Sequence, residues 1–212
     1  VPSQIGTDND WEEINAGYAH CHAIKTDGTL WGWGFNQNGQ VGGGTNSNIP
    51  SPVKIGTDSD WLKISAGFAH SLGIKTDSTI WAAGSNANGQ FGDPSITESP
   101  TFVQILDSLK WIDVSCGLEF TSAIQQDGSL WSWGFNGNGQ LGLGNTTQAD
   151  IPTQVGSDND WISIHGGAAS NFAVNASKEL YGTGLNQTGI LGDGSGADQV
   201  SFVLITDKLF YF

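Results

Sequence analysis

Arginine is absent from this chain of 212 residues, and its seven basic residues are all lysine. Against 21 acidic residues, these lysines leave a formal net charge of −14. Nucleic-acid binding depends on basic side chains that neutralise phosphates, and anionic membrane surfaces attract the same groups. The composition therefore argues against nucleic acid and against membrane insertion. It is typical of an acidic, soluble protein that works outside the cell.

Cysteine is scarce as well, and methionine is missing. Cys21 and Cys116 occupy different phases of the repeat described below, and a disulfide needs Cα atoms within about 7 Å of each other. We therefore expect two free thiols, each packed as a small apolar side chain. The sequence also has no apolar run of membrane length and no signal peptide. Because it begins at Val1, in the middle of a repeat phase, we expect a mature or excised piece.

The most regular feature of the chain is a repeat of 50 residues, which keeps the same spacing from end to end. Five positions of the period carry the same residue type in each of four repeats. They are Trp11, Trp61, Trp111 and Trp161; Gly17, Gly67, Gly117 and Gly167; Gly34, Gly84, Gly134 and Gly184; Asn36, Asn86, Asn136 and Asn186; and Gly39, Gly89, Gly139 and Gly189. A fixed period of this size is typical of propellers and repeat arrays.

Each repeat contains about four short strands. In the first repeat, alternating runs flank Asp27 and Gly28, which predicts a hairpin with a type I′ turn and positive φ at both central residues. The second and fourth repeats have less suitable residues there, including Ser78 and Lys178, so we expect less ideal turns. Four-stranded units repeated in this way predict an all-β fold, a β-propeller. An open β-solenoid is the alternative, but its repeats are usually far shorter.

We predict one domain over residues 1–212, with repeats at about 1–50, 51–100, 101–150 and 151–200. The fourth repeat departs most from the pattern, since Tyr181 and Thr183 stand where other repeats have Trp, and terminal repeats are often atypical. Residues 201–212 restart the period, with Tyr211 at the phase of Trp61. We interpret them as the first strands of a fifth repeat.

The assembled motif is G-x-x-H-x-x-A-I-x-x-D-G-x-L-W-x-W-G-x-N-x-x-G-Q-x-G. It reads almost in full at residues 17–42, and its parts recur at 67–92 and 117–142. It closely resembles the regulator of chromosome condensation repeat family over essentially the whole chain. The resemblance implies a β-propeller, which in that family usually closes with seven blades. Four repeats and a strand indicate a fragment, a propeller of fewer blades, or one completed by another chain.

The known roles of that family fit this sequence unequally. The nuclear member that exchanges nucleotide on a small GTPase also contacts chromatin, which needs basic segments that are lacking here. The plant ultraviolet-B photoreceptor carries Trp and Arg between the Gly and His of the motif. This chain has Tyr18 and Ala19 at those positions, and its other repeats also lack the pair. The secreted bacterial inhibitor of β-lactamase, which binds through loops and exposed aromatic residues, is the nearest functional analogy.

Histidines form the first candidate for chemistry. His20 and His22 share a strand face, and His70 holds the phase of His20 one repeat later. Three imidazoles that converge near a channel can bind zinc. The alternative, which we favour, is a structural histidine hydrogen-bonded within each blade, because Phe120 and Ser170 replace it in the other repeats.

Acidic turns and Gly/Asn loops are further candidates. Asp8 and Asp10 precede the phase Trp, as do the equivalent pairs in the second and fourth repeats. Such turns can hold calcium, but Asx-turn chemistry explains them without a ligand. The loops that begin at Asn36 and its equivalents lack the Lys and Ser/Thr of a phosphate-binding loop, so we expect structural turns. We likewise expect the recurring Trp residues to be core.

No catalytic set, metal site or cofactor is predicted. We expect a non-enzymatic protein-interaction or scaffold propeller, extracellular or at the cell surface of a bacterium. The predicted partner-binding residues vary on a constant frame: Tyr18, Phe68, Leu118, Glu119, Phe35 and Phe135. One alternative is a structural subunit that assembles through its open edges into an oligomer or filament. The other is a propeller that binds or acts on glycans.

Overall fold

The structure, a computed structural model, describes residue 4 and residues 6–206. Over these residues the chain is all-β, with sixteen strands in four sheets, as the sequence predicted. The described part of the chain contains no helix long and apolar enough to cross a membrane. Tyr211, which the repeat phase assigned to a fifth repeat, lies outside the described residues together with the rest of 207–212.

Each sheet, here called a blade, holds four strands that follow one another along the chain. Blade 1 contains β1 (Trp11–Ala16), β2 (His20–Lys25), β3 (Leu30–Gly34) and β4 (Ile49–Lys54). Blade 2 contains β5 (Trp61–Ala66), β6 (His70–Lys75), β7 (Ile80–Ser85) and β8 (Glu98–Ile105). Blade 3 contains β9 (Trp111–Cys116), β10 (Phe120–Gln125), β11 (Leu130–Gly134) and β12 (Ala149–Gln154). Blade 4 contains β13 (Trp161–Gly166), β14 (Ser170–Asn175), β15 (Leu180–Gly184) and β16 (Gln199–Leu204).

Neighbouring strands within a blade are antiparallel, and the blades are arranged radially. The first strands of successive blades contact one another, β1 with β5, β5 with β9 and β9 with β13, so they lie nearest the axis. The fourth strands form the outer edge. The sheets are offset from the repeat boundaries, since β16, where the period restarts, pairs with β15 and completes blade 4.

The hairpin turn between the second and third strands differs from the type I′ turn expected. Gly28 has a φ of 75°, but Asp27 does not have a positive φ. The N–H of Gly28 donates to the carbonyl of Lys25 at 2.8 Å, and the N–H of Lys25 donates to Thr29 at 3.0 Å. This is a three-residue loop, a type I turn followed by one left-handed residue. A loop of this type needs only one positive φ, at Gly28. The Asp27 carboxylate accepts from the N–H and hydroxyl of Thr29, which helps to hold the turn.

Ser78 and Lys178 take the left-handed position in blades 2 and 4, each with a φ of 66°. L-residues with a side chain rarely adopt this conformation, whereas Gly does so without a steric penalty. The expectation of less ideal turns in these two repeats is therefore confirmed.

The core lies between blades. Trp61, Trp111 and Trp161 are 5%, 0% and 6% exposed. Trp61 belongs to a cluster with Ile24 and Leu30 of the preceding blade, and Trp161 belongs to the equivalent cluster one junction further on. The recurring Trp is thus the core residue that the sequence predicted, since it fills the space between two sheets.

The Asn loops are turns, also as expected. Asn36 is fully buried, and its amide donates to the carbonyls of Thr45 at 2.7 Å and Ser47 at 3.1 Å. Its side-chain oxygen accepts from the N–H of Val41 at 2.9 Å. The same acceptor contact recurs at the equivalent Asn in each of the other three blades. One side chain therefore closes each loop without any ligand.

Side chains of one blade also accept hydrogen bonds from backbone N–H groups on the innermost strand of the next blade. The N–H of Ile64 donates to Glu13, and the N–H of Ala66 donates to Asn15 at 2.9 Å. Ile64 is 2% exposed as a result of this packing, but Ile14, at the same position in blade 1, is 69% exposed. Blade 1 thus presents a face that blades 2 to 4 bury.

Candidate functional site

The turns that join the first and second strands surround one mouth of the axis. They comprise residues 17–19, 67–69, 117–119 and 167–169, and we call the side of the molecule that carries them the upper face. The N–H of Tyr18 donates to the carbonyl of Gly67 at 3.0 Å, and the N–H of Phe68 donates to that of Leu118 at 3.0 Å. These turns line a cavity of about 170 Å³. Backbone hydrogen bonds therefore fix the position of each variable side chain relative to the next blade.

Glycine at the start of these turns permits the close approach. A Cβ on Gly67 would lie 2.5 Å from the carbonyl oxygen of Gly117 and 2.3 Å from the His70 ring. Any side chain there would push the blades apart. The repeated Gly therefore belongs to the frame, and the residue after it is free to vary.

Tyr18 and Phe68 form an aromatic pair on the upper face. Their ring centroids are 4.7 Å apart, and the side chains are 71% and 40% exposed. Leu118 follows in the next blade and is 36% exposed, while Glu119 beside it is partly buried. The four predicted residues of these turns thus lie around the same mouth.

Phe35 and Phe135 lie on this face as well. The N–H of Phe35 donates to the carbonyl of Ala19 at 2.7 Å, and that of Phe135 donates to Glu119 at 2.9 Å. The rings are 39% and 37% exposed. The structure therefore brings all six predicted partner-binding residues to one face. Because exposed aromatic side chains carry much of the energy of protein interfaces, this face is suited to bind another protein.

The histidines lie beneath the upper face and are used in packing. His20 Nε2 is 2.7 Å from Ser71 Oγ of the next blade, and His70 Nε2 is 3.3 Å from Thr121 Oγ1. His22 Nε2 lies 3.1 Å from the carbonyl oxygen of Val41. Burial lowers the pKa of His20 and of His70 to about 3 and that of His22 to about 4, so all three are neutral at pH 7. Each is held by a structural contact, and within residues 6–206 no group of three His, Cys, Asp or Glu has metal-binding geometry.

The acidic turns lie on the opposite side, the lower face, which also carries the hairpin turns. Lys25 Nζ is 2.7 Å from Asp8 Oδ2 and 3.0 Å from Asp10 Oδ1. The same nitrogen is 4.7 Å from the ring centroids of Trp11 and of Trp31. The hydrogen bond to Asp8 raises the pKa of Lys25. These carboxylates therefore hold a lysine of their own chain.

This ion pair was missed in the sequence, although a signal for it exists. Lys75 stands one period after Lys25, and Asp58 and Asp60 stand one period after the first Asp pair. A lysine and a pair of aspartates that recur together at the same positions of two repeats predict an ion pair within each blade. Cys21 and Cys116 are free thiols, as expected. Burial raises the pKa of Cys116 to about 12, so its thiol is unreactive.

Comparison with known proteins gives a family and a fold. The profile of the regulator of chromosome condensation (RCC1) repeat matches residues 27–74, 77–124 and 127–174. A second profile of the same repeat matches residues 11–40, 61–90 and 111–140. The ultraviolet-B receptor UVR8 of Arabidopsis thaliana is 48% identical over 42 residues, which are 20% of this chain and 10% of the receptor.

Solved structures share the fold at low identity. Human WBSCR16 superimposes with a TM-score of 0.85 at 20% identity, covering 95% of this chain and 54% of that protein. Yeast RCC1 (Prp20), solved bound to Kap60, superimposes with a TM-score of 0.82 at 19% identity, covering 96% of this chain and 51% of that protein. Prp20p from Saccharomyces cerevisiae, described with its binding to Gsp1p and histones, superimposes with a TM-score of 0.81 at 19% identity. The match covers 98% of this chain and 53% of that protein. The chain spans about half the length of these solved relatives.

Proposed function

The chain belongs to the regulator of chromosome condensation (RCC1) repeat family, and from this we propose that it is a non-enzymatic propeller that binds a protein partner through its upper face. One observation carries the proposal: Tyr18 and Phe68 pack on each other yet remain 71% and 40% exposed. An aromatic pair that is held by the backbone loses little conformational freedom when a partner covers it. A protein of the same fold also binds a protein, since yeast RCC1 (Prp20) was solved bound to Kap60.

The chemistry of the upper face supports a protein partner over a small molecule. The cavity of about 170 Å³ at the mouth is smaller than a typical ligand pocket. The exposed Phe35 and Phe135 extend the apolar surface outward from that mouth. A few large side chains contribute most of the binding energy of a protein interface, and the exposed aromatic side chains of this face are of that kind.

We further propose that the protein is extracellular or attached to the surface of a bacterial cell. The net charge of −14 and the short, regular repeats motivate this location. Fractionation of the source cells with an antibody against the chain tests it. Antigen that is accessible on intact cells or in the medium supports the proposal, and antigen confined to the cytoplasmic fraction contradicts it.

A double variant tests the upper face. Tyr18→Ala with Phe68→Ala removes the aromatic pair, and we expect retention of the partner in a quantitative pull-down to fall by about tenfold or more. Ile151→Ala is the matched control, because Ile151 is 58% exposed but lies on the outer strand β12. If circular dichroism shows that both variants are folded and they retain the partner equally, the assignment of the partner-binding site is wrong.

A second candidate function, assembly through the open edge, is favoured by the exposed face of blade 1. Ile14 is 69% exposed, whereas Ile64, Val114 and Ile164 at the same position are 2%, 7% and 1% exposed. An adjoining cavity of about 410 Å³ is lined by Trp11 and Trp33 together with acidic side chains, including Glu12 and Glu13. We propose that a further blade of the same kind covers this face. Sedimentation velocity of the purified chain tests whether a second copy supplies that blade.

A further inference from the structure

Two blades hold an ammonium group in the same cage on the lower face. In blade 2, Lys75 Nζ contacts Asp58 at 2.5 Å and Asp60 at 3.1 Å. It also lies 5.1 Å from the ring centroid of Trp61 and 4.3 Å from that of Trp81. Blade 1 repeats this arrangement around Lys25. Two carboxylates and two indoles thus define what this position binds, since cations are attracted to both.

Blade 3 lacks both the lysine and the two aspartates of the cage. Gln125 replaces the lysine, and Ser108 and Lys110 replace the two aspartates. Lys110 turns instead to the carbonyl of Asp77, to which it donates at 2.9 Å. In blade 3 the cation and the two anions that would hold it are therefore missing together.

Blade 4 has lost the cation alone. Asn175 stands at the lysine position, but Asp158 and Asp160 are both kept. A third carboxylate, Glu179, replaces the Thr or Ser of the other blades. Among residues 6–206, none of these three carboxylates takes part in a salt bridge.

The backbone of the cage is preserved in blade 4. The N–H of Ala176 donates to the carbonyl of Asp160 at 2.7 Å, as that of Thr76 donates to Asp60 at 2.8 Å. The aromatic walls are also kept, since the rings of Trp161 and Tyr181 lie 5.1 Å apart, edge to face. The cage of blade 4 is therefore built like that of blade 2.

Asn175 does not fill the space that lysine occupies elsewhere. Its amide donates to Glu179 at 2.8 Å, and its oxygen accepts from the N–H of Glu179 at 3.0 Å, so the short side chain stays close to the backbone. The Tyr181 hydroxyl lies 3.4 Å from Glu179. Burial, followed by Glu179, Asp158 and Asp160, raises the pKa of Tyr181. Three carboxylates thus act on one aromatic hydroxyl, and no lysine among residues 6–206 forms a salt bridge with them.

A cavity of about 320 Å³ opens at this point between blades 3 and 4. Asp158, Trp161, Tyr181 and Gln154 line it. Trp161 is 6% exposed, and its indole N–H, like those of Trp61 and Trp111, has no hydrogen-bond partner among the described residues. Gln154 stands at the position that Lys54 occupies in blade 1, so the lysine of that position is also replaced here.

We propose that the blade 4 cage, made of Asp158, Asp160, Glu179, Trp161 and Tyr181, binds a primary alkylammonium group from outside the chain. Lysine side chains fill the equivalent cages of blades 1 and 2, and this defines the ligand chemistry. A metal ion is disfavoured, because no three acidic groups in residues 6–206 have metal-binding geometry. The cage lies on the lower face, so the proposal is independent of the partner site on the upper face.

Titration with n-butylammonium chloride tests the cage. The readout is the indole N–H resonance of Trp161 in a ¹H–¹⁵N spectrum, assigned by Trp161→Phe. We expect a saturable shift, with no shift from 1-butanol, which has the same apolar chain, or from sodium chloride at equal ionic strength. A second titration with the peptide acetyl-Gly-Lys-Gly-amide distinguishes the sources. Binding of both probes indicates the lysine of a partner, and binding of butylammonium alone indicates a small amine.

Two reciprocal variants provide the control. Asn175→Lys supplies an internal ammonium group and should weaken butylammonium binding by about tenfold or more. Lys75→Asn opens the cage of blade 2 and should create a second saturable shift, at Trp61. If Asn175→Lys does not fold, Asp158→Asn with Asp160→Asn takes its place, because both side chains are exposed. No saturable shift in the wild type, an equal shift with 1-butanol or sodium, or unchanged binding by the folded variant would overturn the proposal.

Discussion

At the residue scale, the hairpin turns show most clearly how a single position sets local stability. Gly28 and Gly128 adopt left-handed φ values of 75° and 83°, and Ser78 and Lys178 adopt 66°. A residue with a side chain pays about 1–2 kcal/mol of strain in the left-handed conformation. Gly avoids this strain but loses roughly 0.5–1 kcal/mol more conformational entropy than Ala when the chain folds. The balance favours Gly at this position.

Ser78→Gly should therefore raise the free energy of unfolding by about 0.5–1 kcal/mol, measured by urea denaturation. The reciprocal change, Gly28→Ser, should lower it by more. A Cβ on Gly28 would lie 2.2 Å from the carbonyl oxygen of Ser59, so a steric clash adds to the strain. A loss of stability in Ser78→Gly would contradict this explanation of the turns.

The buried histidines predict a dependence of stability on pH. His20, His22 and His70 are neutral in the folded state, with pKa values of about 3, 4 and 3, whereas the ordinary value is 6.5. Between about pH 4 and 6.5 the unfolded chain binds protons that the folded chain does not, so stability rises with pH in this window and is lost as pH falls. Each histidine contributes a slope of at most about 1.4 kcal/mol per pH unit.

Urea denaturation at intervals between pH 4.5 and 7 measures this slope. His70→Gln should flatten it, because one buried imidazole no longer titrates on unfolding. His165→Gln is the control, since His165 is exposed in blade 4. A slope that His70→Gln leaves unchanged would show that other groups control acid stability.

At the scale of elements, the inner edge of each blade is satisfied by side chains of the blade before it. Asp113 in β9 accepts from the N–H of Ile164 at 3.2 Å and pairs with Lys63 at 2.7 Å. It therefore ties blade 3 to both neighbours. Its side chain is only 13% exposed, so water cannot readily replace these contacts.

Asp113→Ala should lower the free energy of unfolding by about 1–3 kcal/mol, because the buried N–H of Ile164 loses its acceptor. Asp107→Ala is the matched control, an exposed carboxylate in the turn before β9, and should change stability little. Equal effects of the two variants in urea denaturation would contradict the role of Asp113 as an inter-blade link.

Much of the blade could be predicted because its requirements recur. Trp61 and Asn36 stand at positions that every repeat must fill, so their burial follows from the period alone. The turn type could not be predicted, because an Asp-Gly pair suits both a two-residue and a three-residue loop. The lysine cages were also missed, since Lys25 and Asp8 are far apart in sequence and meet only when strands β1 and β2 pair.

The predicted upper-face residues divide in a similar way. Tyr18 and Phe68 were identified as variable positions on a constant frame, and the structure places them together. Their ring contact depends on the backbone hydrogen bond from Tyr18 to Gly67 of the next blade. That geometry arises between blades, so no single repeat contains it.

At the scale of the whole molecule, the first and last blades of the described chain both expose side chains whose equivalents are buried, Ile14 in blade 1 and Leu180 in blade 4. The chain spans about half the length of its solved relatives, 54% of human WBSCR16 and 51% of yeast RCC1. Blade 1 exposes Ile14, which its equivalents bury. A surface of this kind is covered in the other blades by a preceding sheet.

If a second copy covers this face, sedimentation velocity should show a dimer or larger species that dissociates on dilution. Ile14→Lys should shift it to monomer, because a charge would be buried without a partner. Ile151→Lys, exposed on β12, should leave assembly unchanged. A wild-type chain that is monomeric at all concentrations would remove self-assembly and leave another blade of a different origin as the occupant.

Site-specific photo-crosslinking tests directly whether the aromatic upper face binds a protein. A benzophenone amino acid replaces Tyr18 in one variant and Ile151 in another, and each is irradiated with an extract of the source. We expect one protein to be crosslinked from position 18 and not from position 151. Excess unlabelled wild type should displace it, whereas the Tyr18→Ala, Phe68→Ala variant should not. The same crosslinks from both positions, or crosslinks that the double variant displaces equally well, would contradict binding at this face.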